Sequence, residues 1–363
     1  MNITAQSVAT DDGLELRLGR VTPVGAASRS SVLLLHGANT NGDSFLLPGT
    51  GLAGWLARLG HDVWILEWRG SSEIVERYKT SHHDAFDLDR VAKNDIPAAL
   101  RAMKNAQAAA QLSIVGHCLG GAATAMALGS GQLEPFAIRR VVFIAAGLFL
   151  SAPVESQLKA HDGALERAAS DNPTHPGVDP NRVDEWPAEI KRVSDMWPRS
   201  SLPRGDARSD AVYRRAAVMY GRPYRRSLVS DEVHHQAHRL FGLLHLGLYR
   251  HAVQCLRRGY VAPLDSPEEG PEAWAAAQPY FRPDGFRGKE LLLLTGRHND
   301  LWHPDSLSRF DEWLRCEANT RPTREVLADY GHQDLLWGRD AHRDVYPLIQ
   351  QALPSAIEPS PHG

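Results

Sequence analysis

The stretch Ile114-Val115-Gly116-His117-Cys118-Leu119-Gly120-Gly121 decides how this chain is read. A short apolar run, residues 112–115, enters it as a strand, and a small-residue helical run, residues 119–128, leaves it. Between them stands a Gly-x-Cys-x-Gly pattern, whose better-known form carries serine at the centre. A strand that reverses sharply into a helix forces the central residue into a strained conformation. The flanking glycines let strand and helix approach without a Cβ clash. The central side chain is thereby presented at the carboxyl end of a sheet and at the positive end of a helix, which is expected to lower a thiol pKa. Cys118 is the expected nucleophile. Most free cysteines are inert and buried, and Cys255 and Cys316, at ordinary helix positions, read that way.

The same alternation extends on both sides. Residues 31–36, 62–68, 140–146, 290–295 and 324–329 read as strands, and residues 87–110 and 341–353 as helices. Strands alternating with helices imply an α/β fold with a mostly parallel sheet covered on both faces. Residues 151–285 break the pattern, with much Pro, Arg, His and Trp and no clear strand. Within them residues 231–258 have helical spacing, Val233, Ala237, Leu240, Leu244 and Leu248 recurring at three- and four-residue steps. The expected division is a core in two parts, 1–150 and 286–354, a helical cap insertion at 151–285, and a loose tail at 355–363.

Composition narrows the function classes. The chain has 363 residues, 43% hydrophobic, with a formal net charge of −3. This gives no global reason to expect a nucleic acid or a membrane as partner. No apolar run approaches the ~20 residues of a membrane span, and residues 1–12 lack the pattern of a signal peptide. Three cysteines, widely spaced and odd in number, argue against a disulfide framework, so a cytoplasmic location is expected. No Cys-x-x-Cys or close His/Cys cluster suggests a metal, and no Gly-x-Gly-x-x-Gly follows an early strand, so no cofactor is expected.

A thiol nucleophile needs a base, and the base needs an orienting group. In elbows of this form the chain order is nucleophile, acid, histidine. His332, in Tyr330-Gly331-His332-Gln333-Asp334 directly after the 324–329 strand, is the expected base. The acid should follow the preceding strand, in Gly296-Arg297-His298-Asn299-Asp300-Leu301-Trp302. A strict count falls on Asn299. Asp300, one residue on, is the first choice because it is a carboxylate, and Asn299 is the competitor because an amide can also orient imidazole. With either, Cys118 and His332 could rest as a thiolate–imidazolium pair. The backbone N–H of Leu119 and of Ala38, in His36-Gly37-Ala38-Asn39, are the expected oxyanion donors.

Taken together, Leu35-His36-Gly37, Val63-Trp64-Ile65-Leu66-Glu67-Trp68-Arg69, Asp95-Ile96-Pro97-Ala98-Ala99-Leu100, the elbow, and Gly331-His332-Gln333-Asp334 with Val345-Tyr346-Pro347 resemble α/β-hydrolases. The branch they most resemble occurs fused to, or encoded beside, GMC flavoproteins of the cholesterol-oxidase type. The resemblance runs from about residue 30 to 350 and is weakest in 151–230. The elbow is also similar to that of polyhydroxyalkanoate synthases, which carry a growing acyl chain as a thioester, although the rest of the chain matches them poorly. The resemblance implies an α/β-hydrolase fold and acyl chemistry, and says little about substrate.

Residues 201–260 hold eleven Arg and no Lys against four acidic residues. This reads either as a solvated helical face or as a surface for an anionic part of a small-molecule or carrier-bound acyl substrate. Trp186, Trp197 and Trp302 are candidates to line an apolar pocket, Trp302 first because it neighbours Asp300. Three functions stay open: hydrolysis of an ester, thioester or lactone; acyl transfer to a non-water acceptor; and a non-catalytic partner that has kept the fold.

Overall fold

The computed structural model describes residues 2–23, 30–47, 49, 51–78, 85–106, 111–163, 177–182 and 207–355. Its centre is an eight-stranded sheet. The strands are β1 (Asn2–Ala9), β2 (Glu15–Thr22), β3 (Ser30–Leu35), β4 (Asp62–Glu67), β5 (Gln111–His117), β6 (Arg140–Ile144), β9 (Glu290–Gly296) and β10 (Thr323–Leu327). A two-residue pair, β7 (Gly177–Val178) with β8 (Leu244–His245), lies apart from it. The order across the large sheet is β1-β2-β4-β3-β5-β6-β9-β10. The β4-β3-β5-β6-β9-β10 run is parallel, and β1 and β2 add an antiparallel edge. This is the α/β-hydrolase fold.

Central strands are apolar on both faces, as a doubly covered parallel sheet demands. Val32, Leu33, Leu34 and Leu35 of β3 are all fully buried, as are Val141, Val142, Phe143 and Ile144 of β6. The N-terminal hairpin is not among the strands expected from sequence. Its β2 does carry the half-buried pattern, with Leu16 and Leu18 inward and Glu15 and Arg17 outward.

Residues 88–105 form one helical run broken by a π turn, Val91–Asp95. Asp95 there is fully buried and paired with the equally buried Arg69, Nη2 to Oδ1 2.6 Å. The long helix expected over 231–258 is instead Asp231–His234, Ala237–Leu240, β8 and Leu246–Arg258. All five of its spaced apolar residues are nonetheless buried. Gly242 marks the break. A Cβ there would lie 2.6 Å from that of Ser72, a fit to neighbouring chain that overrides local helix propensity.

Strand register sets the site. Leu35 of β3 pairs with Gly116 of β5, and His117 of β5 with Ile144 of β6. Ile144 pairs with Leu294 of β9, and Gly296 of β9 with Leu327 of β10. Adjacent parallel strands therefore end nearly level, and the loops after β3, β5, β9 and β10 emerge side by side.

Candidate active site

Cys118 is the first residue of the Cys118–Gly129 helix and has φ 54°, left-handed backbone that costs a non-glycine residue about 1–3 kcal/mol. The surroundings enforce it. A Cβ on Gly116 would stand 2.6 Å from Cα of Gly121, and one on Gly120 2.4 Å from the carbonyl of His36. Only glycine at both positions lets the helix close onto the strand ends.

The histidine loop is laced to the turn after β9. His298 N–H donates to the Tyr330 carbonyl at 2.9 Å, and Gly331 N–H to buried Asp334 at 2.7 Å. This brings Asn299 to His332, with Oδ1 3.0 Å from Nδ1. The same Oδ1 accepts the N–H groups of Leu301 (3.1 Å) and Trp302 (2.9 Å), and Nδ2 reaches Thr295 Oγ1 at 3.3 Å. An oxygen that already accepts two backbone donors must accept from the ring too. Nδ1 of His332 therefore carries the proton, and Nε2 keeps its lone pair.

Asp300, the first choice for the orienting group, is not hydrogen-bonded to His332. Its carboxylate takes the Arg222 guanidinium at 2.6 Å and is part-exposed. The physical reason is the turn itself. Its tight form needs the side-chain oxygen of Asn299 inside, which sends the next side chain outward.

The surroundings favour a neutral thiol and imidazole over the thiolate–imidazolium pair. Desolvation in the pocket pushes the Cys118 thiol up to about 12, against the opposing hydrogen bond from Leu119 N–H. Burial, and then the nearby His117, hold His332 well below the ordinary imidazole range. His117, whose ring centre lies 4.6 Å from that of His332, is itself lowered by burial to about 3. Burial thus disfavours the charged form of both groups. Nε2 of His332 has no hydrogen-bond partner among the described residues, Cys118 Sγ included. The proton transfer would need a small closing motion, common in unliganded sites.

The loop after β3 packs on Cys118. A Cβ on Gly37 would lie 3.1 Å from Cβ and 3.6 Å from Sγ of Cys118. Buried His36 clamps this loop, with Nδ1 2.6 Å from the Gly37 carbonyl and Nε2 3.3 Å from Glu67 Oε2. Burial opposes the Glu67 charge, but His36 and the Ser71 hydroxyl hold its carboxyl below the usual range. Ala38 and Leu119 both line the pocket that opens over Cys118.

That pocket encloses about 910 Å³ of empty space, open mouth included. Leu150, Met219, Leu244, Val253, Leu256 and Trp302 make its apolar walls, and Cys118 and His332 line it with them. Helices Val154–Asp162, Ala207–Tyr220 and Leu246–Arg258, between β6 and β9, supply nine of its twenty lining residues. Its lining among the described residues includes Lys159 but no arginine. Several arginines of 201–260 are engaged elsewhere: Arg226 with Asp231, Arg250 with Asp265, Arg257 with Glu268, and Arg258 with backbone carbonyls. Arg204, Trp186 and Trp197 lie outside the described residues.

Among the described residues, one group of side chains has metal-ligand spacing. Donor atoms of Asp87, Asp89 and His251 lie within 4.8 Å of one another. They are committed within the protein: Asp87 to Arg90, Asp89 to Tyr280 and Leu264 N–H, His251 to Leu88 N–H and the Ala262 carbonyl. The cluster is a polar tie between segments. Sequence reasoning also missed Asn39, Tyr220 and His117. The signal for the first and last was their place beside Ala38 and Cys118; for Tyr220 there was none.

Comparison with known proteins agrees with this fold. Residues 30–179 match the family described as alpha/beta hydrolase fold. Lipase member K of Homo sapiens is 33% identical over 124 residues, which are 31% of this chain and 31% of that protein. The lysosomal acid lipase/cholesteryl ester hydrolase of Homo sapiens is 31% identical over 153 residues, 39% of this chain and 37% of that one. The chain thus spans about a third of the length of these curated relatives. Among solved structures, a lipase in its open form superposes with a TM-score of 0.60 at 11% identity, covering 97% of this chain and 98% of the other. A bacterial membrane phospholipase A gives 0.51 at 16%, covering 96% and 86%.

Proposed function

We propose that this chain is a cysteine-dependent acyl hydrolase that accepts esters or thioesters with an apolar acyl group. One observation carries the reading: an apolar pocket ends on Cys118, a thiol on a strained elbow, beside a histidine whose Nε2 lone pair is free. Its lipase relatives support ester hydrolysis in general terms. They do not speak to cysteine as nucleophile, which rests on the residue at the elbow.

In the proposed reaction, Nε2 of His332 takes the thiol proton as Sγ bonds to the carbonyl carbon. The Leu119 and Ala38 N–H groups hold the oxyanion. Asn299 keeps the ring oriented and accepts from Nδ1 throughout. The tetrahedral adduct expels the alcohol or thiol, protonated by His332, and leaves a thioester on Cys118. Water, deprotonated by His332, then attacks the thioester. The acid leaves, and Sγ recovers its proton from the ring.

A second reading, acyl transfer to a non-water acceptor, is favoured by the apolar walls, which would keep water from a thioester that retains its transfer potential. The substrate is a small molecule or a carrier-bound acyl group; the mostly apolar lining suits an apolar chain, and Lys159 in the same wall suits an anionic part. No helix among the described residues is long and apolar enough to cross a membrane. The free state of all three cysteines suits a reducing compartment such as the cytoplasm.

The test is intact-mass analysis after mixing with p-nitrophenyl alkanoates and acyl thioesters. An acyl adduct on Cys118 that clears in water supports hydrolysis. An adduct that clears only with added alcohol or amine supports transfer. Full activity in Cys118→Ala rejects both.

A further inference from the structure

The apolar pocket contains a polar pair that the proposed reaction does not use. Asn39 Nδ2 lies 2.8 Å from Tyr220 Oη, and both residues line the pocket with Cys118 and Ala38. Asn39 is fully buried, yet its Oδ1 has no hydrogen-bond partner. Its φ of 62° turns the backbone just past Ala38, so one short loop carries both groups. Tyr220 comes from the end of the Ala207–Tyr220 helix, 181 positions away in sequence.

The hydrogen inventory of the pair does not close. Two amide N–H groups and one hydroxyl stand against two oxygens, and one bond joins them. As drawn, the Tyr220 proton is unspent; with the amide reversed, the hydroxyl donates to Asn39 and both amide N–H groups are unspent. In either orientation a donor is left over beside Cys118. Burial, and then the Cys118 sulfur, raise the Tyr220 hydroxyl above its ordinary range, so it stays protonated. Tyr220 is part-buried and lines the pocket with Cys118, so a substrate oxygen entering there can take up this donor.

We propose that the Asn39–Tyr220 pair is a third donor to the oxyanion formed on Cys118, alongside the backbone N–H groups of Ala38 and Leu119. The inference rests on the reading of Cys118 as nucleophile. The pair would bind a ground-state carbonyl weakly and the shorter, charged contact of the tetrahedral adduct strongly. Its position on the Ala38 loop favours the acyl oxygen over the leaving group.

The test uses Tyr220→Phe, which removes only the hydroxyl, and Asn39→Asp, since Asp tolerates positive φ. In Asn39→Asp the carboxylate consumes the Tyr220 proton and sets a negative charge beside the oxyanion. For p-nitrophenyl alkanoates, Tyr220→Phe should lower the acylation kcat by roughly 10²-fold, with KM within about threefold. Asn39→Asp should lose more. Binding of an alkyl trifluoromethyl ketone, which forms a tetrahedral adduct with the thiol, should weaken in parallel, while binding of the methyl ketone should hold. An active wild type with Tyr220→Phe kcat unchanged, or with the loss confined to KM, overturns the third donor and leaves Cys118 standing. If wild type acylates nowhere, or only away from Cys118, the nucleophile reading falls and the pair's role with it. Thermal melts of both variants separate these results from unfolding.

Discussion

Oδ1 of Asn299 sits 3.0 Å from Nδ1 of His332 while accepting two backbone N–H groups of its own turn, so a neutral amide orients this ring. The arrangement suits its surroundings. With His332 and Asn299 both about 1% exposed, a carboxylate there would be a buried charge without a paired cation. Asp300 remains outside with Arg222.

Two substitutions separate the neighbours. Asn299→Ala removes the ring's acceptor and should cut kcat/KM for an aryl ester by about 10²-fold or more, as loss of tautomer control does elsewhere. Asp300→Asn breaks an exposed ion pair worth ~0–1 kcal/mol and should leave kcat/KM within about threefold. Steady-state kinetics of both variants decide; a larger loss in Asp300→Asn would return that residue to the site.

The neutral buried histidines predict acid sensitivity. His117 and His332 have folded pKa values below their unfolded value, so on acidification the unfolded chain binds protons first. Stability is then lost as pH falls below about 6.5, by up to ~1.4 kcal/mol per pH unit for each ring. The loss from His117 continues towards its folded value of about 3. Urea midpoints measured from pH 7.5 to 5 should fall, and should fall less steeply in His117→Phe if that variant folds. A flat profile would mean that these rings are not buried neutral.

The raised thiol has a kinetic counterpart. Cys118, pushed up to about 12, should react with iodoacetamide at pH 8 at least tenfold more slowly than a free cysteine whose pKa is about 8.5. Mass-resolved alkylation rates against Cys316, which is exposed, give the comparison within one chain. Faster labelling of Cys118 would restore the thiolate pair.

Pocket shape makes a selectivity prediction. Ala252 lies on the Leu246–Arg258 helix and lines the pocket. Ala252→Phe fills part of the acyl space and should reduce kcat/KM for a decanoyl ester by about tenfold or more, on a cost of roughly 1–3 kcal/mol for overpacking. An acetyl ester should be nearly unaffected. Equal losses for both chain lengths would place the acyl group elsewhere.

The buried Arg69–Asp95 pair bears on the core rather than the reaction. Arg69→Met strands Asp95 without its partner and should cost about 3–5 kcal/mol by urea unfolding, and Arg69→Met with Asp95→Leu should recover much of it. If the single and double variants are equally destabilised, the pair is held by packing alone.

Much of this protein is determined by local sequence. Strand and helix periods, the glycines around Cys118 and the position of His332 after the last strand act over a few residues, and backbone sterics leave them few alternatives. The N-terminal hairpin had a readable alternation at Leu16 and Leu18, but an antiparallel edge was not implied by the βα repeat. What neighbours decide was not legible. Whether Asn299 or Asp300 faces the histidine depends on which oxygen caps one turn, a choice made by backbone N–H groups in three dimensions. The protonation of Cys118 depends on how much water the pocket excludes, and desolvation there raises the thiol, against the direction expected from the helix terminus. Tyr220 reaches Asn39 only because the helices between β6 and β9 fold back over the sheet, and no local pattern encodes a contact between residues so far apart in the chain. The sequence by itself therefore determined which residue stands on the elbow. Only the tertiary structure decided what surrounds it, because solvation and hydrogen-bond partners belong to the packed chain and not to any segment of it.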